Sequence, residues 1–242
     1  MVAEQAPNLI DRPGTSEDAW EGWPGLWWLP VIDPLAWGSV VVVAAHPDDE
    51  VLGAGGMIAM LAAAGVRVRL IAVTDGEASH PGADPAVIAR RRIAESAAAL
   101  DLLGAGDAEV IRLGFPDAGV AGREDELAAI LAGLCAGFGA CLAPWAADGH
   151  ADHEAAGRAA RRAVRDVLAY PVWMWHWAAP GDWRVPWQRA CRVALCVDAA
   201  ARKRSAIAAF ASQLTEREGG LAPILPAGVV AHFTRREEVL LR

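Results

Sequence analysis

A Rossmann-like α/β fold, a mostly parallel sheet with helices on both faces and extra strands toward the C-terminus, is what this sequence predicts. Three observations predict it. Short apolar runs recur at 39–45, 67–73, 109–113 and 139–143, the length and composition of strands buried on both faces. Each is followed by a longer segment with helical signals, which implies parallel strands joined by crossovers. The chain is 242 residues long, 54% hydrophobic and 21% charged, so it has ample apolar surface for one large core.

The elements follow in order. SVVVVAA (39–45) reads as a fully buried strand and 54–64 as a helix stopped by Gly65. A second strand is expected at 67–73. A long helix follows over 85–103, closed by Gly104. Then come a strand at 109–113, a helix at 124–136, a strand at 139–143 and a helix at 153–168. AYPVWMWHWA alternates, with Trp173, Trp175 and Trp177 on one face and Val172, Met174 and His176 on the other, so it reads as a strand. Residues 191–197 form a further strand candidate. A helix over 198–213 takes Asp198 as its N-cap, and GGLAPILPAG is a loop by its Gly and Pro content. Residues 1–38, with Trp20, Trp23, Trp27, Trp28 and Trp37, read as an irregular arm packed on a single domain spanning 39–242.

Composition excludes several functions. The net charge of -8 argues against a nucleic-acid or polybasic membrane surface. No apolar run is long enough for a membrane span. The opening MVAEQAPNLIDRPG lacks both a basic n-region and an apolar h-region. Cys135, Cys141, Cys191 and Cys196 form no CxxC pair and read as reduced thiols. The expectation is a cytoplasmic protein with a small-molecule partner, and a homo-oligomer is compatible with the sequence.

The chemistry concentrates at two strand ends, where open α/β sheets bind ligands. VVVAAHPDDEVLGAGG (41–56) runs from strand into a histidine, a proline and three acids. Pro47 ends the ladder, and acids at a helix N-terminus suit the macrodipole. Capping accounts for one or two of them, but neither for His46 nor for three in succession. His46 and Asp49, three residues apart across the turn, can converge on one cation, leaving Asp48 free beside it. APWAADGHADHEAAG (143–157) supplies a second cluster, His150, Asp152 and His153, after a later strand. Two histidines and one carboxylate leave open positions on a catalytic zinc ion. Such an ion brings a bound water's pKa to about 7. A spare carboxylate and a second histidine then suit amide or ester hydrolysis.

AHPDDE with its glycine-rich helix and HADH after a later strand resemble the PIG-L/LmbE-like de-N-acetylases. VTDGE (73–77), the Arg92–Glu95 segment and LGFPDAG (113–119) extend the likeness, which covers about residues 39–160. The resemblance implies a zinc-dependent deacetylase, with iron the alternative ion, acting on an N-acetylated, sugar-containing small molecule. An amidase on a thiol conjugate, or a deacetylase tailoring a natural product, keeps the same chemistry. The resemblance makes His46, Asp49 and His153 the metal ligands and Asp48 the general base. It makes His150 the histidine that steadies the tetrahedral intermediate, and Asp152 the acid that orients a histidine. Some relatives carry a tyrosine where this chain has Asp148, and the one tyrosine here is Tyr170.

Other residues have two readings. Arg92 could hold a sugar or phosphate, or simply pair with Glu95 along its helix. His80 and Asp117 are substrate-contact candidates on loops, with a solvent-exposed loop histidine the alternative for His80 and plain turn chemistry that for Asp117. Glu50 is either a cap or a neighbour of the metal. The tryptophans read as packing, and the basic start of RKRSAIAAF (202–210) as a solvated face. Two rival functions remain open. One is a phosphate cradle built on GAGG, which the preceding carboxylates would repel; the other is an inactive relative serving as a binding module.

Overall fold

The computed structural model describes residues 9–242, so residues 1–8 of the expected arm lie outside the described residues. The arm carries α1 (Glu17–Glu21). The chain then runs through β1 (Ser39–Ala44), α2 (Asp49–Ala63), β2 (Arg67–Thr74), α3 (Pro85–Leu103) and β3 (Glu109–Phe115). It continues with α4 (Glu124–Leu134), β4 (Ala140–Pro144), α5 (Ala151–Ala163) and β5 (Val167–Tyr170). The last third holds α6 (Met174–Trp177), β6 (Ala190–Ala194), α7 (Val197–Ala208), α8 (Ala211–Leu214), α9 (Ala227–Ala231) and β7 (Glu237–Leu241).

The strands form one seven-stranded sheet in the order β3-β2-β1-β4-β5-β7-β6. β3, β2, β1, β4 and β5 pair in parallel, and β7 is antiparallel to both β5 and β6. The valines of β1 show why the sheet is covered twice. Val40 and Val42 enter one core, with residues of α2, α3 and α7, while Val41 and Val43 enter the other, with α4 and α5. Strand order reverses between β1 and β4, the topological switch point of such sheets. Among the described residues no helix is long and apolar enough to cross a membrane.

Several sequence expectations are corrected. α2 begins at Asp49 and runs straight through the glycines; a Cβ on Gly53 would stand 2.1 Å from the Tyr170 ring, so only glycine fits there. α5 ends at Ala163, and β5 occupies part of the stretch read as helix. The alternating tryptophan segment is not a strand. Pro171 offers no ladder N–H, and the Asp148 carboxylate accepts the N–H groups of Val172, Trp173 and Met174, turning the chain into α6. α7 starts one residue earlier than expected and is capped by Cys196, with Asp198 in its first turn. β7, EEVLL, was not anticipated as an element.

The arm is tied to this last third. The Trp20 indole is fully buried and donates to Trp175 O at 2.8 Å, and Val31 bridges to Arg192. Glu17 accepts from His232 and Arg235. Burial raises its pKa, but these two partners outweigh burial and hold it below the ordinary value.

Lys203, expected on a solvated face, is buried instead at 3% exposure. Its Nζ donates to Leu52 O (2.8 Å) and to Glu238 (2.7 Å), while Glu238 accepts the N–H groups of Gly56 and Met57. Leu52 O and Gly56 N–H are ladder partners in a regular helix. Here each receives a side-chain partner, so the ion pair is wedged against the helix that begins with Asp49. Removing one member leaves the other charge buried. We expect Lys203→Met to cost about 3–5 kcal/mol in denaturant unfolding, and Lys203→Met with Glu238→Leu to recover most of it; a single variant as stable as the parent would show that the pair bears no such strain.

Candidate metal centre

The turn after β1 gives each of its three acids a different partner. His46 N–H donates to Asp49 Oδ2 at 2.8 Å, folding the turn back on itself. Asp48 sits at φ 132°, ψ -31°, a conformation costly for a residue with a Cβ. Its carboxylate is held by Arg92 Nη2 at 3.0 Å, and the same guanidinium donates to Pro47 O and Gly76 O. Glu50, fully buried, accepts the Asp48 N–H and the Ser96 hydroxyl. It clamps the strained turn. Asp48, the N-cap residue, makes no side-chain capping bond, so capping does not explain the acid run.

The loop after β4 brings up the second cluster. His46 Nδ1 and His153 Nε2 stand 3.2 Å apart, His153 Nε2 and Asp49 Oδ1 3.2 Å, and His46 Nδ1 and Asp49 Oδ2 3.6 Å. Bonds of about 2.0–2.2 Å at tetrahedral angles put ligand atoms about 3.3–3.6 Å apart. The donor set fits a divalent cation. His150 is close enough to join, since one ring nitrogen of each of His46, His150 and His153 lies within 4.8 Å of the others.

The far ring nitrogens are held as well. His153 Nδ1 donates to Asp148 Oδ2 at 2.8 Å. His46 Nε2 faces Asp117 Oδ1 at 3.2 Å and Asp152 Oδ2 at 3.3 Å. Asp152 is fixed in turn by the N–H groups of Ala118 and Val120. Such partners set which nitrogen of a ligating histidine is free for the metal.

The electrostatics point the same way. Burial pushes His46 down, but Asp117, Asp152 and Asp49 outweigh it and hold its pKa well above 6.5. His153, likewise buried, is raised to about 9 by Asp49 and Asp148. Burial raises Asp49, yet the His153 charge and the hydrogen bonds from both histidines hold it well below 3.8. Burial, opposed by Arg92 and reinforced by Asp49 and Glu50, pushes Asp48 up to about 7. Burial and the charges on His153 and His46 push His150 down to about 3. The cluster draws positive charge into its centre.

The cluster opens into a pocket of about 260 Å³, with Trp173, Gln213 and Ile224 on its walls. Of the residues expected from sequence, His46, Asp48, Asp49, Arg92, Asp117, His150 and His153 line it, and Asp152 stands behind His46. Arg92 is buried and committed to Asp48. Asp117 receives the Ala78 N–H and faces His46. His80 is not brought in: it hydrogen-bonds Ser79 and lines a neighbouring pocket with Thr215 and Arg217. Tyr170 is buried under α2, its hydroxyl on Val43 O at 2.6 Å. His176 binds the arm through Arg12 O. Asp148 was missed as a functional residue, because AADGHADHE holds several acids and spacing alone does not single one out.

Asp148→Asn would turn a donor toward His153 Nδ1 and force the ring proton onto Nε2, the nitrogen that faces the metal position. We expect metal affinity to fall about 10–100-fold in competition with a chelator; unchanged affinity would contradict this orienting role.

The chain resembles known proteins in sequence and in fold. The family described as "PIG-L: GlcNAc-PI de-N-acetylase" matches residues 41–164, slightly more than half of the chain and both clusters. A 1D-myo-inositol 2-acetamido-2-deoxy-alpha-D-glucopyranoside deacetylase of Kineococcus radiotolerans is 34% identical over 100 residues, covering 37% of this chain and 28% of that protein. The match thus spans little more than a quarter of that relative's length. Among solved structures, the conserved protein TT1542 of Thermus thermophilus is 28% identical with a TM-score of 0.57, covering 80% of this chain and 84% of that one. The N,N'-diacetylchitobiose deacetylase of Pyrococcus horikoshii has a TM-score of 0.60 at 20% identity, covering 85% and 82%; at that identity the likeness establishes the fold alone. With both motifs inside the matched region and their side chains gathered at one strand-end site, the chain belongs to the PIG-L (GlcNAc-PI de-N-acetylase) family.

Proposed function

We propose that the protein is a zinc-dependent de-N-acetylase that hydrolyses the acetamide of an N-acetylated, sugar-containing small molecule. One observation carries the reading: two imidazole nitrogens and one carboxylate stand 3.2–3.6 Å apart at a pocket floor, with a second carboxylate beside them. His46, Asp49 and His153 would hold the ion. A bound divalent ion supplies Lewis acidity, polarising the acetyl carbonyl and easing deprotonation of water.

The chain's own groups do the remainder. Asp48 takes the proton of the attacking water. Held by Arg92 Nη2 at 3.0 Å beside the metal position, its carboxylate is placed to accept and return a proton. Arg92 and the clamp by Glu50 keep that carboxylate fixed in its strained turn. His150 Nδ1 accepts the Asp152 N–H at 3.3 Å, which leaves Nε2–H of the neutral ring as a hydrogen-bond donor. It steadies the carbonyl oxygen as negative charge develops. As the C–N bond breaks, the amine nitrogen takes up the proton, giving acetate and a free amine. Asp152 and Asp148 hold His46 and His153 in register.

Sugar contact falls to Trp173, which offers a flat aromatic surface, and to Gln213, which offers an amide; both line the pocket. A thiol conjugate or a natural product bearing the same acetamide is the alternative substrate. Unbridged Cys135, Cys141 and Cys191, all buried, accord with a cytoplasmic location.

Asp48→Ala should keep about one equivalent of metal and lose about 10²–10⁴-fold in turnover, while Asp49→Ala should lose the metal itself. Metal content together with freed primary amine, read over a panel of N-acetylated sugars and thiol precursors, checks both. Full activity in metal-free protein, or identical behaviour of the two variants, would overturn the assignment.

A further inference from the structure

At the opposite end of the sheet from the metal centre, the starts of β4 and β5 open into a separate cavity of about 550 Å³. The strands are four and five residues long, so the two sites are separated by about 15 Å of strand. Arg161, Arg165, Arg189 and Arg242 line it, with Trp37 on one wall and Asp166 as the one acidic side chain among the lining residues.

The cavity runs against the rest of the surface. The chain carries 30 acidic residues against 22 basic ones, and outside the cavity most exposed arginines, such as Arg67, Arg91, Arg123, Arg184 and Arg202, pair with a carboxylate. On α5 itself, Arg158 pairs with Glu124 and Arg162 with Asp125. Arg161, next to Arg162, turns to the cavity. Arg161, Arg165 and Arg189 have no ion pair or side-chain hydrogen bond among the described residues. Cations at the end of α5 suit its dipole, which accounts for Arg161 and Arg165. It does not account for Arg189 and Arg242, which come from other elements and add like charge to the same space. Guanidinium groups gathered in excess of the one carboxylate, Asp166, match phosphate oxygens, which they bind in bidentate pairs.

From this we infer that the cavity is a second ligand site, distinct from the metal pocket, for a phosphorylated small molecule of about sugar size. Its arginines take the phosphates and Trp37 flanks the body of the ligand.

Isothermal titration of the metal-loaded full chain with fructose 1,6-bisphosphate tests this, with fructose and sodium sulfate at matched ionic strength as controls. The expected result is saturable binding of one equivalent, absent with fructose and at least tenfold weaker with sulfate. Arg161→Ala combined with Arg165→Ala should weaken binding at least tenfold while leaving the melting temperature and the deacetylation rate unchanged, since both side chains are exposed. His150→Ala should bind like the parent. Four results would overturn the site: no saturable heat at millimolar ligand, sulfate binding equally well, binding indifferent to the arginine variant, or binding lost in His150→Ala, which would place the ligand at the metal. None depends on the deacetylase reading being right.

Discussion

Buried negative charge is the constraint on which this molecule turns. Asp48, Asp49, Glu50, Asp148 and Asp152 are all buried around one strand-end junction, and among the described residues Arg92 is the permanent cation set against them. Isolated carboxylates in such surroundings cost far more than any single contact returns. The remaining compensation comes from aligned N–H groups, from the Ser96 hydroxyl and from histidines whose far nitrogens are fixed by acids. What is left is a small space, bounded by Asp49, His46 and His153, that favours positive charge. A divalent metal ion would meet that demand and bring Lewis acidity to the pocket floor.

The fold exists to make that junction stiff. Parallel strands β1 and β4 deliver both loops to the switch point, and each loop is braced from behind. Arg92 reaches in from α3 to hold Asp48. Asp148 takes three successive N–H groups from the chain after β5, so the same carboxylate that orients His153 also turns the backbone into α6. Beneath the turn, Gly53 in α2 admits the Tyr170 ring, and the Lys203–Glu238 pair fixes the helix at the level of Leu52 and Gly56. Strain at Asp48 persists because these neighbours over-determine it.

Much of this was legible in the sequence. The β-branched run of β1, the helical punctuation at Gly104 and the two His/Asp clusters gave the parallel sheet and the site's position, because local pattern and tertiary role coincide there. Legibility failed where long-range partners decide. AYPVWMWHWA alternates like a strand, but Asp148, far away in sequence, claims its amides. Lys203 looks solvated beside Arg202 and Arg204, yet Glu238 draws it inward. Arg92 and Asp117 line the pocket, but their contacts, to Asp48 and His46, are not readable from spacing. His80 lies on the expected loop and faces the neighbouring pocket.

X-ray absorption spectroscopy of the zinc-loaded protein addresses the central claim most directly. A site built from His46, Asp49 and His153 should show only nitrogen and oxygen neighbours at about 2.0–2.2 Å, with multiple scattering from two imidazoles that falls to one in His153→Ala. Sulfur neighbours, or a spectrum unchanged by that substitution, would place the ion elsewhere and contradict the site.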